Sequence, residues 1–358
     1  MFKNPITLSI ALALSAASLG MAAAPAQGAD TTATSVKTMN PFFQQSPLPL
    51  QYPQFDKITD ADFAPAFERG MADNSREIEA IANSKDKPTF ENTILAMESS
   101  GQLLRRALTV FFNLASANTN DTLDKLDAEY SPKLAAHNDS VYLNAKLFER
   151  IKALYDKRET LGLDAQGVRL IERYHTDFVR AGANLTEAQK TRVKAINGEM
   201  ATLTTQFSQN VQDEVNDSAV IVSNRSELAG LTDQQIDGLA ESAKEKGMPG
   251  KYRIALLNTT IQPLLPQLDN RALRERIHKA SVARGSRGNK WDNRAIVSKV
   301  TKLRAERAAI MGYPSYAAFG LAEETAKNPE AVNKMLEQLA PPAVANARKE
   351  GAVLQAMI

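Results

Sequence analysis

The sequence predicts a mainly α-helical protein with one small β element. Three observations carry that class. Apolar residues recur at steps of three and four over most of the chain after Pro53. Helix-capping residues, often followed by proline or an acid, punctuate those runs. Only residues 218–223 ("SAVIVS") and 251–258 ("KYRIALLN") are short β-branched or aromatic runs of the strand type.

The first element reads as a leader rather than as part of the fold. Lys3 is the only charged residue before Asp30, and residues 6–19 are apolar or small throughout. That run is far shorter than the roughly 20 residues needed to cross a bilayer. With the alanine-rich exit that follows, residues 1–26 are expected to be a secretory signal peptide, cut after Ala24 or Ala26. Residues 27–46 are polar and are expected to be a flexible lead-in, and residues 47–358 to form the helical region.

The first helix follows Thr59 and places Phe63, Phe67, Met71, Ile78 and Ile81 on one face. A second begins at Thr89 and runs to about residue 118. Its apolar face is Ile94, Met97, Leu104, Leu108, Phe111 and Phe112. Helices are predicted next at 121–130, 140–158 and 164–181. Thr186 and Gln189 form a capping-box pair ahead of a long helix carrying Val193, Ile196, Met200, Leu203, Phe207 and Val211. The two strand runs flank a further helix and could pair across it. Ile296, Val300, Leu303 and Ile310 line the next helix, which Gly312 and Pro314 end. Ser315 caps a short helix, and Asn328, Pro329 and Glu330 begin the last one. No fixed-period repeat is present.

Composition narrows the function classes. The chain has 358 residues, 43% of them hydrophobic, enough for a large core. Its 43 basic and 41 acidic residues balance to a net charge of +2. Such balance calls for neither nucleic acid nor an anionic membrane surface as partner. Without cysteine there is no disulfide, no thiol nucleophile, no thiolate metal ligand and no lipidated N-terminal cysteine. A leader without an anchor is expected to mark an exported, periplasmic protein.

No catalytic constellation is visible in the residues themselves. The three histidines are His137, His175 and His278, and none has a second histidine four residues away. Glu172 and His175 have ExxH spacing, but di-iron bundles need two such motifs plus further carboxylates, so a structurally bonded or solvated pair is the preferred reading. His137 and His278 have no visible partner and read as structural. From Arg271 to Arg294 there are eight Lys or Arg against two acids, Glu275 and Asp292. That stretch, with "RGSRG" at 284–288, could be an anion site. Only Trp291 interleaves an aromatic ring, and a solvated helix face and loop is preferred.

Several segments nevertheless carry a likeness to a known family. They include "NPFFQQSPLPLQYPQFDKI" (40–58), "FENTILAMESSGQLL" (90–104), "VFFNLASANTND" (110–121), "FVRAGANL" (178–185), "LLNTTIQP" (256–263) and "RAERAAIMGYPSYAAFGLAEETAKNPEAV" (304–332). In order and spacing these resemble the zinc metallopeptidases of the thimet oligopeptidase family, M3, and within it the peptidyl-dipeptidase branch. Thr325 stands where the family usually has methionine, a matter of packing. The resemblance implies the helical, channel-forming architecture of that family and short peptide substrates. It also implies zinc held by an HExxH motif and a later glutamate, and a monomer at full length. That motif is absent from these 358 residues. The sequence is thus expected to be an N-terminal part, inactive alone, with no catalytic, cofactor-binding or metal-binding residue of its own. An internally cleaving oligopeptidase of the same family and a non-catalytic helical peptide-binding module are the alternatives.

Overall fold

A computed structural model describes residues 39–358. The expected signal peptide at 1–26, and residues 27–38 of the expected lead-in, lie outside the described residues. In the remainder of the lead-in the chain is already seated. Asn40 caps a single 3-10 turn at Pro41–Phe43, Phe42 is buried, and Arg106 donates to the Phe42 carbonyl at 3.0 Å.

Helix α1 (Phe63–Ala82) follows a 3-10 turn closed by Thr59 and Asp62, each side chain satisfying the other residue's backbone. The predicted run from Thr89 is not one helix. A π-helical turn at Phe90–Leu95 leads into the short α2 (Ala96–Ser99), and α3 (Gln102–Ala117) restarts after Gly101. Gly101 has φ +67°, a left-handed conformation that interrupts the helical path at little cost only in glycine. The restart lets α3 lie against α1 so closely that a Cβ on Gly70 would sit 2.9 Å from the Leu104 backbone.

The predicted helices at 121–130 and 140–158 are redistributed into α4 (Asp121–Tyr142) and α5 (Ala145–Tyr155). Pro132 lies inside α4, where it removes one backbone donor. Side chains of the neighbouring long helix support α4 along its length. They belong to α7 (Glu187–Asp217), which follows α6 (Ala165–Ala181). Asn197 donates to Asp139 at 2.7 Å, Thr205 to Ser131 at 2.9 Å, and Gln209 to the Asp124 carbonyl at 2.6 Å. The Thr186–Gln189 capping box opens α7 as predicted.

The β element is a two-stranded antiparallel sheet, β1 (Val220–Val222) with β2 (Tyr252–Ile254), in the register Val220↔Ile254. Between the strands lies α8 (Asp233–Glu245), preceded by a tight turn at Gly230. A Cβ there would fall 1.9 Å from the Gln267 carbonyl oxygen, and Asp269 donates its N–H to the Ala229 carbonyl beside it. Helices α9 (Asn258–Leu264), α10 (Arg271–Val282), α11 (Arg294–Ile310), α12 (Tyr316–Leu321) and α13 (Pro329–Ala356) complete the order. Gly312 ends α11 at φ +82°, Ser315 caps α12, and Asn328 caps α13, as the sequence predicts.

Three apolar clusters hold these elements. One is aromatic: Phe67 meets Phe111 and Tyr130 edge-on at centroid distances of 5.1 and 5.0 Å, with Phe42, Phe63 and Leu123 around them. Such pairs add about 1 kcal/mol each beyond their buried area. A second joins Ile78, Ile94, Leu147, Ile151, Ile171 and Phe178. The third, including Val222, Leu228, Ile254 and Ile277, covers the sheet. No described helix is long and apolar enough to cross a membrane.

Candidate functional site

A concavity lies between the second half of α7 and the α10–α11 region. It encloses about 610 Å³ and is walled mainly by Phe207, Val211, Val215 and Val297. That volume is in the range of small-ligand sites. Its origin is a reversal of polarity along α7. The first half buries Val193 and Ile196, whereas the second buries Thr205, Asn210 and Glu214 and leaves Phe207 38% and Val211 45% exposed. The apolar spacing predicted a helix, and that is found. It also placed Phe207 and Val211 on the core face, and there the structure differs. The core side of this segment is filled by a polar network, so the apolar side faces the cleft.

Glu214 anchors that network with a side chain only 2% exposed. Arg287 donates to its two oxygens at 2.6 and 3.0 Å and to Asp217 at 2.5 Å. Asn289 adds a bond at 3.0 Å and the Gly285 N–H a longer one at 3.4 Å. The Arg287 guanidinium, ahead of the Asn289 amide, holds the Glu214 carboxyl below its ordinary range against the opposing effect of burial. One turn earlier, Asn210 donates to Asn293 at 2.9 Å, and Asn293 donates to the Phe207 carbonyl at 3.2 Å.

These bonds also account for the basic stretch from Arg271 to Arg294. Arg287 is held by Glu214, Arg294 by Asp292, and Lys279 by Glu275. Arg284 donates to the Leu256 carbonyl at 2.5 Å, and Trp291 donates through Nε1 to Asp213 at 3.0 Å. The loop part of the stretch therefore clamps the end of α7 through Arg287, Asn289 and Trp291, while the α10 part is the solvated helix face that the sequence predicts, with Arg271, Glu275, Arg276 and Lys279 exposed. The signal for it lay in "VQDEVND" (211–217), where three acids interrupt the apolar spacing.

The three histidines are not brought together. His137 sits between α4 and α1, its Nε2 2.8 Å from Asn74 Oδ1, and burial lowers its pKa. His175 stacks on Tyr155 at 3.8 Å, nearly parallel, and burial also lowers its pKa. Its sequence neighbour Glu172 is engaged by Arg169 and Arg158, which lower the carboxyl's pKa. His278 is exposed on α10. Among the described residues no three His, Asp or Glu side chains are grouped to hold a metal ion.

The comparisons with known proteins bear on what such a scaffold serves. The model of peptidase family M3 matches residues 264–358. Over 90% of its length the chain is 43% identical to the dipeptidyl carboxypeptidase of Escherichia coli K12, covering 47% of that protein. The chain belongs to peptidase family M3. It is 42% identical to the dipeptidyl carboxypeptidase of Salmonella typhimurium over 89% of its length, and 30% identical to oligopeptidase A of Haemophilus influenzae over 83%. The chain spans about half the length of these M3 relatives, at 47%, 47% and 44%. M3 peptidases are zinc enzymes, and a catalytic zinc takes three protein ligands. The described residues offer no such group and so do not fit the metal.

Proposed function

We propose that this chain is part of an exported zinc metallopeptidase that hydrolyses short peptides by releasing dipeptides from their C-termini. The observation that carries the reading is 43% identity, across 90% of the chain, with a protein named dipeptidyl carboxypeptidase. The lower identity to oligopeptidase A, 30%, favours dipeptide release over internal cleavage. Within such an enzyme these residues supply scaffold and wall. The cleft beside α7 offers apolar side chains that can bury an apolar peptide group, stabilised by about 25 cal/mol per Å² removed from water.

Export to the periplasm, with cleavage after Ala24 or Ala26, is part of the proposal and rests on the leader-like residues 1–26. Deletion of the gene in its host, followed by mass spectrometry of peptides incubated with the exported fraction, tests the activity. Loss of dipeptide products is expected. Loss of internal fragments instead would select the oligopeptidase, and an unchanged digest would defeat both. N-terminal sequencing of the exported protein should begin at Pro25 or Gln27.

A further inference from the structure

Three arginines meet where α6, α11 and α12 join. Arg304 and Arg307 lie one turn apart on α11, and Arg180 comes from the end of α6. All three gather on two rings of α12. Arg180 and Arg307 lie over Phe319, at 4.4 and 5.6 Å from its centroid, and Arg304 lies over Tyr316 at 5.1 Å. The two rings are 6.2 Å apart. A ring face attracts a cation but supplies no oxygen for its N–H groups.

Those N–H groups are short of acceptors. Among the described residues, the bond from Arg180 Nη2 to the Phe319 carbonyl, at 2.9 Å, is the one hydrogen bond that the three side chains donate. Arg180 Nη1, Arg304 Nε and Arg307 Nε are buried without a partner. A buried N–H left in that state is destabilising, more so on a charged group. Arg304 and Arg307 also form a like-charge pair three residues apart, which repels.

The nearby carboxylates are committed elsewhere. Glu306 is held by Arg192, and Glu323 and Asp177 are held by Arg173. Asp139 of α4 attracts Arg307, yet the two form no ion pair among the described residues, and Asn197 donates to Asp139 at 2.7 Å. Three half-buried guanidiniums therefore face one carboxylate, and the joint carries an excess of positive charge.

We infer that this joint binds a free tetrahedral oxyanion, of the phosphate or sulfate class, through Arg180, Arg304 and Arg307. Guanidinium forks match the oxygens of such an anion two at a time. The donors come from two helices, α6 and α11. A carboxylate presents one edge and suits one fork, whereas a tetrahedral anion presents oxygens in several directions at once. The anion ties α6 to α11 across the rings of α12 and offsets the excess charge.

Calorimetric titration of the 358-residue chain with sodium phosphate, at fixed ionic strength, tests the site. Saturable binding of one phosphate per chain is expected, with sulfate competing and with acetate and chloride weaker. Arg304→Gln and Arg307→Gln should each weaken phosphate about tenfold or more, through loss of hydrogen bonds to a charged group. Arg304→Lys keeps the charge and loses the fork, so it should restore only part of the affinity. Asp139→Asn should tighten binding, because it removes the acid facing Arg307 and keeps an acceptor for Asn197. If a glutamine variant does not fold, as circular dichroism would show, the lysine and asparagine variants decide. Heats that do not saturate below about 50 mM phosphate, too weak for a specific site, overturn the inference. So does phosphate affinity that is the same in wild type, Arg304→Lys and Asp139→Asn, which would place the ion elsewhere. Acetate or chloride binding as tightly as phosphate overturns the tetrahedral class.

Discussion

Helices α7 and α13 are the two longest in the described chain, at 31 and 28 residues, and their surroundings are opposite. α7 packs against α4 and α11, and even two of its polar residues, Asn210 and Glu214, are buried among partners. α13 exposes even its leucines. Both sequences carry amphipathic spacing. The spacing tells which residues share a face; what meets that face depends on the rest of the molecule. In α7 the partners come from loop residues about 70 positions later, Arg287 and Asn289.

The largest effect that would sharpen this contrast is expected at Glu214. Glu214→Ala leaves the Arg287 guanidinium without its main partner and should cost about 4 kcal/mol in urea denaturation. A change under about 1 kcal/mol would show that the clamp is not needed. The pH dependence has a definite sign. Because the folded carboxyl is held below its ordinary value of 4.5, the stability it contributes is fully present above that pH and is lost as pH falls through the lower folded value. Glu214→Gln should therefore be less stable than the wild type near neutrality and should lose less on acidification below 4.5.

Ile196→Ala, in the first half of α7, should cost about 3 kcal/mol through transfer and cavity terms. Asn210→Ala should cost about 2 kcal/mol, because Asn293 keeps a buried oxygen without its donor. Both are read as shifts of the denaturation midpoint at constant slope. At the small end, Leu339→Ala in α13 should change the stability of the 358-residue chain by less than about 0.5 kcal/mol. A loss comparable with that of Ile196→Ala would erase the distinction between the two helices.

Much of the architecture was legible because its causes are local. The capping box at Thr186, the N-cap at Asn328, the stop at Gly312 and the pairing of two short β-branched runs depend on neighbours within a few residues, or on strand chemistry. The misplaced boundaries have non-local causes. α4 continues through Pro132 because α7 donates side-chain bonds along it, which no window around Pro132 contains. The break at Gly101 follows from a close α1–α3 contact at Gly70, 31 positions away in sequence. The cleft was the least legible part. Phe207 and Val211 fit an inward-facing pattern, and only the burial of Glu214 turns them outward. The preferred reading of the ExxH spacing, a structurally bonded or solvated pair, agrees with the partners that Arg158 and Arg169 supply for Glu172.

The turn at Gly230 sets the mutational tolerance of the lobe around the sheet. The Gln267 carbonyl occupies the space of any first side-chain atom at this position, so alanine is as unacceptable as tryptophan there. Gly238, eight residues on in α8, has open space where its Cβ would be, and alanine there would even favour the helix. Two glycines in one short segment therefore differ in kind. In a library of random variants scored for soluble protein, position 230 should behave as a lethal address and position 238 as a silent one.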